Sequence, residues 1–292
     1  MFATHLWRTA STLTYANAAG GLLLLTLPAT LLLDQRRIET RLAAYAILTA
    51  LLATLSRGAI GSAVVLAVVL MALGSGRRLV MLVRPLAGAV VAMTALLPSV
   101  VGPARPAIGL AGIVAGAVVA AIPLPDRARR VVRTAVPVAL VLAVAAVPLV
   151  AGPALPRLLA SRADLSTEPR FSAWGASIES VRERPAFGTG PGTFLVSTRT
   201  GQPIIGRFAH NEYLQAALET GMVGVVSILA AIGSWTIWVF RRRHGAASAI
   251  GIAACAAFLA HSAVDFIWRF PVLVALAFLW LAIAGTRLPE EQ

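Results

Sequence analysis

The sequence contains no lysine, a single cysteine, four histidines and only 12 acidic residues. Without lysine there is neither a Walker A phosphate loop nor a Schiff-base nucleophile in this chain, so ATP-driven chemistry would have to come from a partner. The lone Cys255 lies within an apolar stretch and forms neither a disulfide nor a thiolate cluster; it reads as a small packing residue. The apolar run Gly20 to Leu33 leads into Asp34-Gln35-Arg36-Arg37 rather than into a small-residue cleavage site, and is expected to remain as a spanning helix.

What the chain does have is apolar residues: 58% of its 292 positions are hydrophobic, 13% are charged, and the mean hydropathy is +0.82. A single aqueous core does not hide that much apolar surface, whereas a bilayer does. The 25 basic residues are all arginine and give a net charge of +13, which would suit nucleic acid if they formed a patch. Most sit instead in short turns between apolar runs, the distribution expected of membrane topology signals, so nucleic acid is not an expected partner.

A hydrocarbon core of about 30 Å needs roughly 20 apolar residues per helix. Runs near 14–33, 38–55, 58–73, 79–98, 106–123, 131–151, 222–240, 247–264 and 270–285 approach this, giving an all-α, polytopic membrane fold with about nine spans. The domain division expected is an N-terminal bundle of six spans over 1–151, an external loop over 152–221 and a C-terminal bundle of three spans over 222–292. Ser56-Arg57-Gly58 interrupts a nearly continuous apolar stretch. Two short helices turning there keep Arg57 near an interface, where one long helix would bury it. The clusters Arg36-Arg37-Arg41, Arg77-Arg78, Arg127-Arg129-Arg130-Arg133 and Arg241-Arg242-Arg243 fall on one side of a nine-span arrangement, the cytoplasmic one. The N-terminus, the Arg57 turn, the long loop and the segment holding His261, Asp265 and Arg269 then lie outside the membrane.

The long external stretch differs in composition from everything before it. Glu168 to Arg182 fits a short amphipathic helix, the glycine and proline cluster from Arg184 to Phe194 forces turns, and His210 to Gly221 again reads as helical. His210 is the strongest single candidate for chemistry. A histidine's ordinary pKa near 6.5 suits taking a proton from a hydroxyl at neutral pH, and Asn211 is placed to cap the helix that follows. A solvated loop histidine making a structural hydrogen bond is the plainer alternative. Arg170 and Trp174 are four apart, hence on one helical face, and a guanidinium fork matches phosphate oxygens. Interfacial anchoring accounts for either arginine, Arg57 or Arg170, equally well. His261, Asp265 and Arg269 recur at spacing four and would share a helical face, either to orient a ligand or to tighten packing. No ligand spacing supports a metal site, and no cofactor is expected.

Taken together, Ser56-Arg57-Gly58-Ala59, Arg170 to Trp174, Arg184-Pro185-Ala186-Phe187-Gly188-Thr189-Gly190-Pro191-Gly192-Thr193-Phe194, His210-Asn211 followed after nine residues by Gly221-Met222-Val223-Gly224, and His261-Ser262-Ala263-Val264-Asp265-Phe266 resemble the O-antigen ligase and polymerase family of bacterial polysaccharide membrane enzymes. The resemblance spans roughly 40–285. It implies transfer of a glycan from a polyprenyl-diphosphate carrier to a lipid-linked sugar, to another glycan repeat or to a protein hydroxyl, on the external face of the inner membrane. It further implies His210 as base, Arg57 and Arg170 as pyrophosphate contacts, Asp265 in support, and Asn211, Glu212, Trp174 and His261 as neighbouring substrate-binding candidates. Family members commonly have about twelve spans with both termini cytoplasmic. Nine spans beginning outside would correspond to a chain lacking three N-terminal helices. A transporter and an inactive assembly subunit are the competing classes, the first weakened because the charged residues cluster in turns rather than at mid-membrane.

Overall fold

A computed structural model describes residues 15–34, 36–101, 103–123, 168–193, 196–197, 205–206, 208–242 and 245–286. Two compact units divide the chain, residues 1–165 and 166–292. The regular structure among the described residues is helical apart from a two-residue antiparallel ladder of β1 (Val196–Ser197) and β2 (Ile205–Gly206), in which Val196 pairs with Gly206.

The first unit contains α1 (Ala16–Leu32), α2 (Ile38–Ala53), α3 (Arg57–Ala72), a 3-10 turn (Gly76–Leu82) running directly into α4 (Val83–Val101), and α5 (Pro106–Ala121). The expected break in the long apolar stretch is present. Leu55 adopts a positive φ of 51°, and Ser56 caps α3 by accepting the Ala59 amide at 3.2 Å, so the chain reverses and Arg57 emerges exposed at the first helical position. Thr54 and Ser56 are buried in the turn against Gly20 of α1, where a Cβ would stand 3.0 Å from that of Ser56 and 2.8 Å from that of Ala59.

Helix α5 shows the inversion expected where lipid rather than water is the solvent. Its buried residues are the small ones, Gly109, Gly112, Gly116 and Ala120, while Ile108, Leu110, Ile113, Val114 and Val118 face outward. Between apolar helices in an apolar solvent, association comes from close backbone approach, which small residues permit. A Cβ on Gly88 of α4 would lie 2.3 Å from the Gly116 carbonyl oxygen, and Tyr45 of α2 closes the same crossing by donating its hydroxyl to the Ile113 carbonyl at 2.6 Å. We expect Gly88→Leu to separate α4 from α5 and cost at least the upper end of the ~1–3 kcal/mol typical of overpacking. Thermal unfolding in detergent would show it as a lowered Tm. Two arginines also close helix ends: Arg41 donates to the Ala121 carbonyl at the end of α5, and Arg78 to the Leu31 carbonyl at the end of α1.

The second unit contains α6 (Glu168–Glu183), the β ladder, α7 (Glu212–Arg242), α8 (Gly245–Ser262), a 3-10 turn (Ile267–Arg269) and α9 (Pro271–Gly285). Helix α8 forms its interior, buried on nearly every side and crossed closely by α9, where Ser248 donates to the Ala284 carbonyl at 2.6 Å. The single cysteine, Cys255, is buried in α8 and is a packing residue. Helix α7 has the opposite character, with its apolar stretch almost wholly on the outside.

Among the described residues, three helical runs are long and apolar enough to cross a bilayer: Gly76–Val100, Glu212–Arg241 and Gly245–Ser262. Ala16–Leu32, Arg57–Ala72, Pro106–Ala121 and Pro271–Gly285 are apolar but shorter. At 1.5 Å per residue a 16-residue helix reaches about 24 Å, short of the roughly 30 Å hydrocarbon core. The expectation of nine spans therefore narrows to an all-α fold with at least three long apolar helices, consistent with a polytopic membrane protein. The expected span at 131–151 lies outside the described residues.

Candidate active site

The long helix α7 is not continuous. Gly221 has φ 66° and ψ −166°, which separates a polar first segment, Glu212 to Thr220, from the apolar stretch beginning at Met222. In an unbroken helix the amides of Met222 and Val223 would bond to the carbonyls of Leu218 and Glu219. Here they donate instead to Pro185 and Ala186, at 2.8 and 3.3 Å, while the carbonyls of Leu218 and Glu219 accept from the amides of Thr189 and Gly190, at 2.7 and 3.2 Å. The two groups of partners interrupted at the break are thus taken over, two for two, by the Arg184–Gly190 turn. The glycines make this possible: a Cβ on Gly221 would lie 2.3 Å from the Ala186 oxygen, and one on Gly188 2.3 Å from the Leu218 oxygen. The glycine-rich stretch and Gly221 are two halves of one knot.

The knot leaves the first turn of α7 free to present His210. Asn211 caps that helix, its side-chain oxygen accepting the Leu214 amide at 3.0 Å. Gln215 reaches back to accept the Ala209 amide at 2.9 Å, so both sides of His210 are fixed. His210 itself sits at φ 52°, a region that a non-glycine residue seldom occupies and that surrounding structure must impose. Its Nδ1 stands 3.4 Å from Oδ1 of Asp265, at the long end of hydrogen-bond range; the imidazole is one-third exposed while Asp265 is 1% exposed. A buried carboxylate facing Nδ1 favours the tautomer protonated there and leaves Nε2 as the proton acceptor. The ring meets the edge of Phe266 at 4.8 Å, Phe266 stacks on Phe208 at 4.6 Å, and the Arg269 guanidinium lies 5.6 Å over Phe208.

Behind this face is a polar layer. Glu219 accepts from Gln215 at 2.8 Å and pairs with Arg269, and Glu212, buried to 3% exposure, accepts the Trp268 amide at 2.5 Å. Glu212 precedes the break and lies outside the apolar stretch of α7. Burial pushes its carboxyl up to about 7, against the Trp268 amide and Arg269, which favour the ionised form. A carboxyl raised from its ordinary 4.5 to about 7 contributes most to stability below 4.5, and that contribution is lost as the pH rises through 7. Glu212→Gln should therefore flatten the fall in Tm between about pH 5 and 8, as thermal unfolding in detergent would show.

The expected site residues are distributed as follows. His210 and Asp265 come together. Asn211 is spent on the cap, Glu212 is turned into the fold, and His261 is fully buried in α8. Arg170 and Trp174 both lie on α6, with Trp174 half-buried, and the position of the Arg170 side chain is outside the described residues. Arg57 belongs to the first unit. The helical stripe expected of His261, Asp265 and Arg269 is not formed. α8 ends at Ser262, where the amides of Ala263 and Val264 bond three residues back and tighten the chain out of the helix. Asp265 then turns to His210, and Arg269 to Glu219 through the 3-10 turn. Sequence reasoning missed Gln215, Phe208 and Trp268 as supports; the spacing of four between Gln215 and Glu219 was the available signal. Among the described residues no three His, Cys, Asp or Glu side chains converge as a metal site requires.

No curated protein gives a significant match to the chain. Residues 104–229 match the family model described as O-antigen ligase (Wzy_C), a segment that includes Arg170, the glycine-rich turn, His210 and the Gly221–Gly224 pair, while Arg57 and Asp265 lie beyond it. The resemblance read from the sequence thus holds over that part of the chain, and the match supports an O-antigen ligase-like glycan-transfer function in general terms.

Proposed function

We propose that this protein transfers a glycan from a polyprenyl-diphosphate carrier to the hydroxyl of a lipid-linked sugar, on the external face of the inner membrane, with His210 as the general base. The observation that supports this most directly is the one-third-exposed imidazole whose Nδ1 faces the buried Asp265 carboxylate at 3.4 Å. In the reaction, the acceptor oxygen attacks the sugar carbon joined to the diphosphate, a C–O bond forms, and its proton passes to Nε2 of His210. The bond from that carbon to the diphosphate oxygen breaks, and polyprenyl diphosphate leaves with the electron pair. A single displacement of this kind inverts the donor carbon. A diphosphate is already a good leaving group, so it calls for charge compensation more than for protonation. Arg170 and Arg57 are assigned that role from the family resemblance, because guanidinium forks match phosphate oxygens and keep their charge at any relevant pH. The chain's own apolar helices would hold the carrier's hydrocarbon tail.

The test is product analysis with the purified full chain in lipid nanodiscs, given a defined polyprenyl-diphosphate glycan and a choice of acceptors. Glycan on the lipid-linked sugar, with polyprenyl diphosphate released and no nucleotide required, is the expected outcome. Extension of a second carrier-linked glycan would make it a repeat-unit polymerase, and a modified protein hydroxyl a protein O-glycosyltransferase. Solute flux with no change in the glycan would sink the enzyme reading. Arg170→Lys, which keeps the charge and loses the fork, is expected to weaken donor use by about tenfold, the scale of one strong charge-assisted hydrogen bond. Unchanged donor KM and kcat in that variant would remove Arg170 from the diphosphate site.

A further inference from the structure

We propose that Glu212 is a positioning residue for this reaction: by accepting the Trp268 amide it fixes the turn after α8, and with that turn Asp265, against His210. The proposal rests on His210 being the base. His210 and Asp265 belong to segments 55 residues apart, one entering α7 and the other leaving α8, so their contact is only as well defined as the seam between those segments. Besides the His210–Asp265 contact itself, polar links among the described residues that cross the seam include Tyr213 donating to the Leu259 carbonyl at 2.9 Å, Arg269 paired with Glu219, and the Trp268 amide donating to Glu212. The Arg269 side chain is 38% exposed and its pairing is screened by solvent, whereas Glu212 is buried. Glu212 also sits at the first position of a helix fixed by its Asn211 cap, so its carboxylate is aimed by a rigid element.

On the other side of the bond the turn is equally constrained. The Trp268 indole donates to the Ser262 hydroxyl at 2.8 Å, that hydroxyl donates to the Phe258 carbonyl at 2.8 Å, and the indole meets the Tyr213 ring edge-on at 5.9 Å. Asp265 Oδ1 accepts the amide of its own neighbour Phe266 at 2.9 Å, so the carboxylate follows the backbone of the turn that Glu212 holds. The sequence of effects is Glu212 to Trp268, to the turn, to Asp265, to His210. No contact between Glu212 and substrate is invoked.

The experiment combines kinetics with an observation independent of turnover, on the full chain in nanodiscs. Glu212→Ala is expected to lower kcat by about 100-fold, the scale of a displacement of around 1 Å at a reacting group, with the donor KM unchanged. Glu212→Asp, which keeps the charge and withdraws the acceptor by one carbon, should lose about tenfold with its Tm nearly intact. Glu212→Gln keeps an acceptor oxygen and should restore kcat to within a few-fold of wild type. In a cycle with His210→Ala, Glu212→Ala should cost nothing further, because it acts through that imidazole. In parallel, the His210 imidazole resonance, assigned by its loss in His210→Ala, should move in the Ala and Asp variants and stay in the Gln variant. If the resonance moves as stated while His210→Ala transfers normally, the base reading fails and takes the catalytic role of Glu212 with it, leaving only the structural link from Glu212 to the imidazole. If His210→Ala is inactive but neither kcat nor the resonance responds to Glu212→Ala and Glu212→Asp, or the two alanine effects add, the positioning proposal is wrong.

Discussion

Replacing His210 by alanine is expected to reduce glycan transfer by about 10²–10⁴-fold, the contribution typical of a general base, while leaving donor KM and Tm close to wild type. The expectation of intact binding follows from where the residue sits. His210 precedes the α7 cap rather than supporting it; Asn211 bonds to Leu214 and Gln215 to Ala209 without the imidazole. What the substitution removes is the proton acceptor, so the loss should fall on kcat. Asp265→Asn should lower kcat as well, but by less than His210→Ala, because an amide facing Nδ1 no longer favours the tautomer that leaves Nε2 free, yet keeps the ring packed on Phe266. The measurement is single-turnover transfer from a defined polyprenyl-diphosphate glycan. Normal rates in His210→Ala would place the base elsewhere, and equal losses in both variants would mean that Asp265 does more than orient the ring.

The second large effect is structural. Gly221→Ala places a methyl group 2.3 Å from the Ala186 carbonyl oxygen and 2.5 Å from the Phe187 nitrogen, at a backbone φ of 66°. With ψ −166° this backbone lies in a region that essentially only glycine occupies, and holding an alanine there costs about 1–3 kcal/mol. The collision is with backbone on both sides, so the Arg184–Gly190 turn must withdraw. Losing two of its four backbone bonds to the helix break adds about 1 kcal/mol each. The total, on the order of 3–5 kcal/mol, is a large part of the 5–15 kcal/mol that a domain commonly has. A fall in Tm of roughly 10 °C in detergent is expected. Gly192→Ala is the control: its φ is 71°, but a Cβ there meets open space, so strain acts without collision and the loss should be about half as large or less. Equal effects in the two variants would show that the fit of Gly221 against the turn carries no stability of its own.

That interlock shows how much of the site could be read from the chain and where reading stopped. Two of the stretches that carry the family resemblance bear glycines more than thirty residues apart in sequence, Gly188 in one and Gly221 in the other. Each motif announces a turn, because glycine accepts positive φ. That they are the same turn, seen from its two sides, is not legible from either, since it depends on which amides lose their helical partners. The Ser56-Arg57-Gly58 break was legible for a different reason. A charged side chain in the middle of an apolar run has few low-cost arrangements, and a reversal is one of them. The spacing of His261, Asp265 and Arg269 misled because a period of four means a shared face only while the helix lasts, and α8 ends at Ser262.

By itself the sequence determined the solvent for which this protein is built, the helical class, the presence of an interrupting arginine and the candidacy of His210, all of which are local properties of composition and spacing. Hydropathy and arginine placement report on each segment's own transfer free energy, and no long-range contact is needed to read them. Tertiary structure decided which carboxylate His210 meets, why the helix that follows it breaks at Gly221, and which buried group aligns the two. Those are matters of packing between segments distant in the chain. Their energies depend on distances of a few tenths of an ångström, which no single segment specifies.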